Sequence, residues 1–345
     1  AGMTVELRGS HEHLLPEFTK ALLSLGHLPQ TLTLCTDDVF PDTLLNNGGL
    51  DRVVRMLIGH GLPPLWAYRA ATLNAATRIG RRDLGLIAPG KRADIALIRD
   101  LAGVRAQTVI IGGRMAATGG TLSQKPNVPA VPEVLRQSIQ TLPITAASFE
   151  VSATGATARI ATLSKPRFPV WGEREVPVKD DHLVLPDDMI RMAIINRYGR
   201  NTPMRVAFME NWGEWRGAFA TSVSHDSHNL TVFGREPKDL AAAANAVRDA
   251  QGGLAVACGG KVVAKMDLPI AGLVGDQPLA DVAAAFVEVR EALDRLVEWQ
   301  PPYLVFKALF GASLICNPGP RLSDAGLVEV FEERVLENCV LGAES

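Results

Sequence analysis

Leu32-Thr33-Leu34-Cys35-Thr36-Asp37-Asp38 is the stretch on which the reading of the fold turns. A short apolar run stops abruptly at two carboxylates, as a buried strand does when it delivers acidic side chains at its C-terminal end. Upstream, Met3 to Leu7 is strand-like and Leu14 to Leu25 is an apolar-faced helix. Downstream, Leu50 to His60 reads as a helix stopped by Gly61, and Pro63 or Pro64 opens another that runs through Ala70-Ala71 to about Ile79 before Gly80. Strand, helix, strand, helix is the order of a parallel sheet or a (β/α) barrel, where chemistry gathers at the C-terminal strand ends. Two such units close neither architecture.

Beyond residue 80 the pattern changes to short strands with glycine turns: Ile95 to Ile98, Thr108 to Ile111, then Arg114 to Ala117 across Gly112-Gly113, a two-residue hairpin signal. From Ser123 to about Pro143 the prolines at 126, 129, 132 and 143 mark a linker and a domain boundary. An α+β region follows. Its apolar runs are Thr157 to Leu163, His182 to Leu185, Met189 to Asn196, Arg205 to Met209, Leu230 to Phe233, and Leu254 to Cys258 with Lys261 to Met266. Its helices are Asp239 to Ala250 and Leu279 to Glu298, the second with an apolar stripe through residues 279, 282, 283, 286, 293, 296 and 297. The expected domains are 1–80, 81–125 and 126–345.

Composition narrows the class. A chain of 345 residues asks for about two or three compact units, and 47% hydrophobic with 21% charged residues can bury a full core, which excludes a mainly disordered chain. Thirty-five Lys+Arg against 37 Asp+Glu lack the basic excess of a nucleic-acid binder. Cysteines 35, 258, 316 and 339 form no CxxC pair, so a disulfide framework is not expected and a reducing cytoplasm is. No run reaches the ~18 apolar residues of a membrane span. The opening AGMTVELRGS has neither initiator Met nor signal-peptide pattern, and an apolar strand with nothing before it suggests an upstream portion.

Three clusters carry candidate chemistry. Asp37 and Asp38 at a strand end suit metal ligation or proton transfer, although a polar loop often begins this way. His11-Glu12-His13 has the i, i+2 spacing of a shared-metal pair in a strand but lies past the strand end, where it reads as a solvated helix start. Ser224-His225-Asp226-Ser227-His228-Asn229 is the densest polar cluster, set between apolar stretches. It suits ligand binding, metal or proton relay, with a polar hairpin corner as the plain alternative. In an extended strand 225 and 227 would face away from 226 and 228, so convergence requires a turn. Trp212 and Trp215 read as aromatic core or rim, and Cys35 as a small core residue.

The residues also carry a family resemblance. Leu34 to Asp38, Pro41-Asp42, Ala71-Thr72-Leu73-Asn74-Ala75-Ala76 and Gly85-Leu86-Ile87-Ala88-Pro89-Gly90 through Ala93-Asp94 resemble the end of an amidohydrolase-superfamily barrel. Ala220 to Asn229, Gly252-Gly253-Leu254 and Leu268-Pro269-Ile270-Ala271-Gly272-Leu273 look like the C-terminal domain of bacterial adenine deaminases. The resemblance implies the last β/α units of a TIM barrel over 1–80, a small β part over 81–125 and an α+β domain over 126–345, together about three-fifths of a family member. It implies hydrolysis of adenine to hypoxanthine and ammonia at a binuclear divalent metal centre, with Mn or Fe first and Zn possible. Asp37 matches the last-strand aspartate that ligates metal and shuttles a proton. Asp38 and His225, Asp226, Ser227, His228 and Asn229 are expected to meet the substrate, the latter five by closing over the barrel mouth. The other metal ligands are expected upstream of residue 1, and Arg8-Gly9-Ser10 departs from the family's Arg-Glu-Gly-Ser. A cytoplasmic homo-oligomer acting on a small purine base, with no nucleic-acid or membrane partner, completes the expectation. The alternatives are a hydantoinase-like cyclic amidohydrolase and a non-catalytic binding or assembly module.

Overall fold

The computed structural model describes residues 2–165, 168–200, 202–298 and 305–342. It is a mixed α/β structure whose contacts divide into two units, Ala1–Pro129 and Ala130–Ser345.

In the first unit, β1 (Val5–Arg8) leads through a 3₁₀ turn (Gly9–Leu14) into α1 (Leu15–Ser24), and β2 (Leu32–Cys35) returns parallel to β1 with Arg8 opposite Cys35. Then come α2 (Pro41–Asn47), α3 (Leu50–Gly59), α4 (Pro64–Arg69), a π-helical turn (Ala70–Asn74) and α5 (Ala75–Arg78). Leu7, Leu32 and Leu34 bury against Leu15, Leu22, Val54 and Leu57, the apolar faces that the helical spacing marks out. The wide π turn brings the Asn74 carboxamide onto β2, where it donates to Leu32 O at 2.8 Å and Pro29 O at 3.2 Å. A four-stranded antiparallel sheet follows, β3 (Ile95–Ile98), β4 (Ala106–Ile111), β5 (Arg114–Thr118) and β6 (Thr121–Leu122), with Gly112 and Gly113 both at positive φ in the expected hairpin.

The second unit is built on a nine-stranded sheet. Its strands are β7 (Thr157–Ser164), β8 (Val170–Lys179), β9 (His182–Leu183), β10 (Met189–Ile195) and β11 (Arg205–Glu210). After a two-residue strand, β12 (Glu214–Trp215), come β13 (Ala218–Thr221), β14 (Leu230–Gly234), α6 (Pro237–Asp249), β15 (Gly253–Cys258), β16 (Lys261–Asp267) and α7 (Leu279–Leu296). The spatial order is β16-β15-β13-β14-β10-β11-β7-β8-β9, antiparallel except for β7 beside β11. Period-2 alternation sets the two faces. Ala218, Ala220, Ala255 and Ala257 turn small side chains toward Leu240, Ala243, Ala244 and Val247 of α6, while Phe219 joins Phe233, Phe306 and Phe310 on the other face. Trp212 and Trp215 are core, both stacked near Phe233.

Several elements differ from the sequence expectation. α2 and β8 were not anticipated, and β13 falls on the apolar stretch before the 224–229 run, where the hairpin-corner alternative needs a strand. β8 is a ten-residue strand whose mixed Gly, Pro and charged residues hide its period, and β13 is an alanine-rich run that reads equally as helix. Cys35 is half-buried rather than core.

Candidate functional site

Parallel pairing of β1 and β2 puts the residues that follow β1 beside those that follow β2. Asp37 stands two residues past β2 at φ 56°, and its Oδ2 accepts from Ser10 Oγ at 2.6 Å and Arg8 Nη1 at 3.3 Å. Gly9 makes the approach possible, because a Cβ there would meet Val53 Cγ2 at 2.4 Å and Thr36 O at 3.3 Å. Ser10 spends its one proton on Asp37, so His11 Nδ1, 2.9 Å from the same hydroxyl, is the donor of that pair. Asp38 follows on the exposed surface. His11 and His13 lie in the 3₁₀ turn with ring centroids 6.2 Å apart, not side by side on a strand. Among the described residues no group of three His, Cys, Asp or Glu side chains could hold a metal ion.

The 224–229 cluster is the connection between β13 and β14, a polar corner that turns tightly enough to bring the His225 and His228 rings to a 5.4 Å T-shaped contact. Ser224 N–H donates to His228 Nδ1 at 3.3 Å, and His228 N–H to Ser224 O at 2.7 Å. Below it a hydroxyl chain runs in one direction. Thr231 Oγ1 donates to Ser224 Oγ at 2.7 Å, Ser224 and Ser313 hydroxyls lie 2.6 Å apart, and Ser313 Oγ donates to His225 O at 2.8 Å. Since each hydroxyl has one proton, the Ser224 proton goes to Ser313. Asp226 and Ser227 are exposed at the tip, whereas Asn229 is buried with its Oδ1 unpartnered among the described residues.

Arg197, just past β10, holds this corner from beneath. Its guanidinium is buried and donates Nε to His228 O at 2.5 Å, Nη1 to Ser138 O at 3.2 Å and Nη2 to Ala271 O at 3.0 Å. Gly272 leaves it room, since a Cβ there would stand 2.6 Å from Arg197 Nη1. The neighbouring Ser222 Oγ accepts from Gly253 N–H at 2.8 Å and donates to Gly272 O at 2.5 Å, and a Cβ on Gly252 would stand 2.2 Å from Gly272 Cα. The three stretches read from the sequence as separate hallmarks, around 220–229, 252–254 and 268–273, therefore meet at one place. Tyr198 adds a hydrogen bond from its hydroxyl to Ser227 O. Burial, then repulsion from His225 and Arg197, holds the His228 imidazole below its ordinary value despite Asp226 nearby.

The sequence singles out Asp37 and the 225–229 run but gives no sign of Arg197, Tyr198 and Ser313, which brace the same corner. Asn196-Arg197-Tyr198-Gly199-Arg200 reads as an ordinary polar loop, and Ser313 lies 89 residues from its partner.

Two family models match the chain: the amidohydrolase family over residues 10–116 and the adenine deaminase C-terminal domain over residues 169–334. Adenine deaminase 2 of Rhizobium meliloti (strain 1021) is 57% identical over 342 residues, which are 99% of this chain and 58% of that protein. Adenine deaminase of Klebsiella pneumoniae (strain 342) is 44% identical over 352 residues, 100% of this chain and 58% of the relative. Adenine deaminase of Cereibacter sphaeroides (strain ATCC 17025 / ATH 2.4.3) is 36% identical over 339 residues, 97% and 59% respectively. The chain thus spans under three-fifths of the length of these curated relatives, and over nearly all of its own length it is similar to adenine deaminases, an amidohydrolase match being followed by an adenine deaminase C-terminal match.

Proposed function

We propose that the protein carrying this chain hydrolyses adenine to hypoxanthine and ammonia. The observation that supports it from this chain is the Asp37 carboxylate, presented at the end of a buried strand and steadied at one oxygen by Ser10 and Arg8. Water adds to C6 of the purine, the bond from C6 to the exocyclic nitrogen breaks, and one water proton must reach the departing amine. Asp37 takes that proton and delivers it, as a general base that becomes a general acid. Its clamped oxygen fixes the direction in which the carboxylate faces the reacting atoms.

A binuclear divalent centre, of manganese or iron with zinc as the third choice, belongs to the family resemblance. The described donors do not fit such a centre by themselves, because no three of them stand together. The same proposal gives Asp38 and His225, Asp226, Ser227, His228 and Asn229 contacts to the purine, makes 1–80 the last β/α units of a TIM barrel, and places the enzyme in the cytoplasm as a homo-oligomer in purine salvage. Among the described residues no helix is long and apolar enough to cross a membrane.

The test is ammonia release by the complete enzyme that contains this chain, with adenine set against a hydantoin. Adenine is expected to react and the hydantoin not, and Asp37→Asn to silence the reaction in a folded protein. An active Asp37→Asn enzyme would remove Asp37 from the proton path, and turnover of the hydantoin in place of adenine would overturn the substrate.

A further inference from the structure

Far along the sheet from the 224–229 corner, a second arginine is buried without a matching charge. Arg191 lies on β10, between Phe208 of β11 and Gly234 of β14, and is 8% exposed. It donates Nη1 to Arg235 O at 2.6 Å, while its Nε is buried with no hydrogen-bond partner among the described residues. No carboxylate among the described residues forms an ion pair with it. A guanidinium taken out of water in this state loses its hydration and recovers one neutral acceptor, which is costly unless something else satisfies it.

Arg191 lines a cleft of about 230 Å³. The other walls are the 183–185 segment, Arg235, Glu236 and Pro237. Pro237 is the first residue of α6, a helix of 13 residues whose N-terminus has no side-chain cap, so the positive end of the helix opens beside the arginine. Three further charges bear on the balance. Arg235 is matched by Asp187 at 2.7 Å and donates to the carbonyls of Leu185 and Pro186. Glu236 is largely exposed and sits 3.8 Å from Arg235 Nε. Glu150 faces His182 at 3.5 Å. With Arg235 already answered by Asp187, and the Asp239 and Leu240 N–H groups of α6 donating to Glu236 O, the buried Arg191 remains to be satisfied.

We propose that this cleft binds a tetrahedral oxyanion, inorganic phosphate or the phosphate of a small monoester, with Arg191 as its principal donor. An oxyanion supplies acceptors to a guanidinium that has found only one, and a guanidinium edge suits two oxygens of one phosphate at once. Leu183, Leu185 and Pro237 give an apolar wall for the organic part of an ester. Nothing in this depends on the deaminase reading, so the site stands or falls separately from it.

Calorimetric titration of the protein in a chloride buffer with inorganic phosphate, and separately with glycerol 3-phosphate, is the test. Saturable binding at one site is expected. Stronger binding of the ester assigns the cleft to monoesters, and the reverse order assigns it to the free ion. Arg191→Met is expected to weaken binding by roughly tenfold or more, from the loss of a charge-assisted hydrogen bond. Because Arg191 is buried, a second variant protects the test if the first fails to fold. Val184 lines the cleft and is 44% exposed, so Val184→Glu keeps the fold and repels the anion, while Val184→Lys attracts it. Absence of saturable binding by either phosphate, or affinities indifferent to the charge placed at 184, would overturn the proposal.

Discussion

Asp37 and His228 both sit in polar turns that follow short apolar strands at positive φ, yet they are held in opposite ways. The Asp37 carboxylate has two partners, Ser10 and Arg8, supplied by the turn after the adjacent parallel strand, and Arg8 is half-exposed. The His228 turn rests on a buried guanidinium, itself held by the carbonyls of Ser138 and Ala271, and on a line of hydroxyls from Ser224, Thr231 and Ser313. One turn is open and locally braced, the other is anchored through the core. An open carboxylate can exchange protons and take new partners. An anchored loop keeps its shape whether or not anything is bound, so binding there loses little ordering entropy.

The comparison breaks most visibly at Asp37. In the complete enzyme, loss of a positioned base and acid costs about 10²- to 10⁴-fold in turnover, so Asp37→Asn should lower kcat by that much and leave the thermal midpoint within a degree or two of the parent. Arg197→Met asks the opposite question. Three carbonyls that the guanidinium satisfies would lose their donor inside the fold, and stability to urea should fall by about 3 kcal/mol. If Arg197→Met left stability unchanged, the anchored description of the second turn would be wrong.

A smaller effect separates the two turns by pH. The His228 imidazole is held below its ordinary 6.5 in the fold, first by burial and then by His225 and Arg197. The unfolded chain therefore binds this proton at a pH where the folded chain refuses it, and folding favours the neutral ring. That contribution is complete above 6.5 and is lost as the pH falls through 6.5 toward the depressed folded value. Urea midpoints measured from pH 7.5 down to 5 should decline less steeply for His228→Gln than for the parent. Equal slopes would show that His228 does not feel its surroundings. The smallest change is expected for Arg8→Gln, because an ion pair with a half-exposed arginine is worth less than about 1 kcal/mol. Chemical denaturation should barely register it, while any loss of turnover would show that Arg8 steers the Asp37 carboxylate.

What could be read in advance followed the same division. β1, β2, α1 and α3 announce themselves through apolar spacing, and Asp37 through its place at the end of β2, because those signals are contained in a few consecutive residues. The polar run 224–229 was visible as composition, but its convergence was not: the 5.4 Å contact of His225 with His228 needs a turn that no pattern of residue types specifies. Arg197 was invisible for a stronger reason. Its three acceptors lie 31, 59 and 74 residues away, and a single arginine in a polar stretch looks the same whether it is solvated or buried. Glycine was the partial exception, since Gly252-Gly253 and Gly272 were noted as motif positions. Their reason is close backbone approach: a Cβ at 253 would stand 2.0 Å from Met266 O.

Asn74 carries a consequence for assembly of the first unit. In the parallel pair the Thr31 carbonyl accepts from Val5 N–H, so the Leu32 carbonyl points to the opposite edge of β2, and there the Asn74 carboxamide already occupies it. A strand adding along that edge finds its first open outward carbonyl at Leu34 rather than Leu32. A side chain on a widened helical turn thereby sets the starting register for any further strand and closes the edge to one that would slide past it.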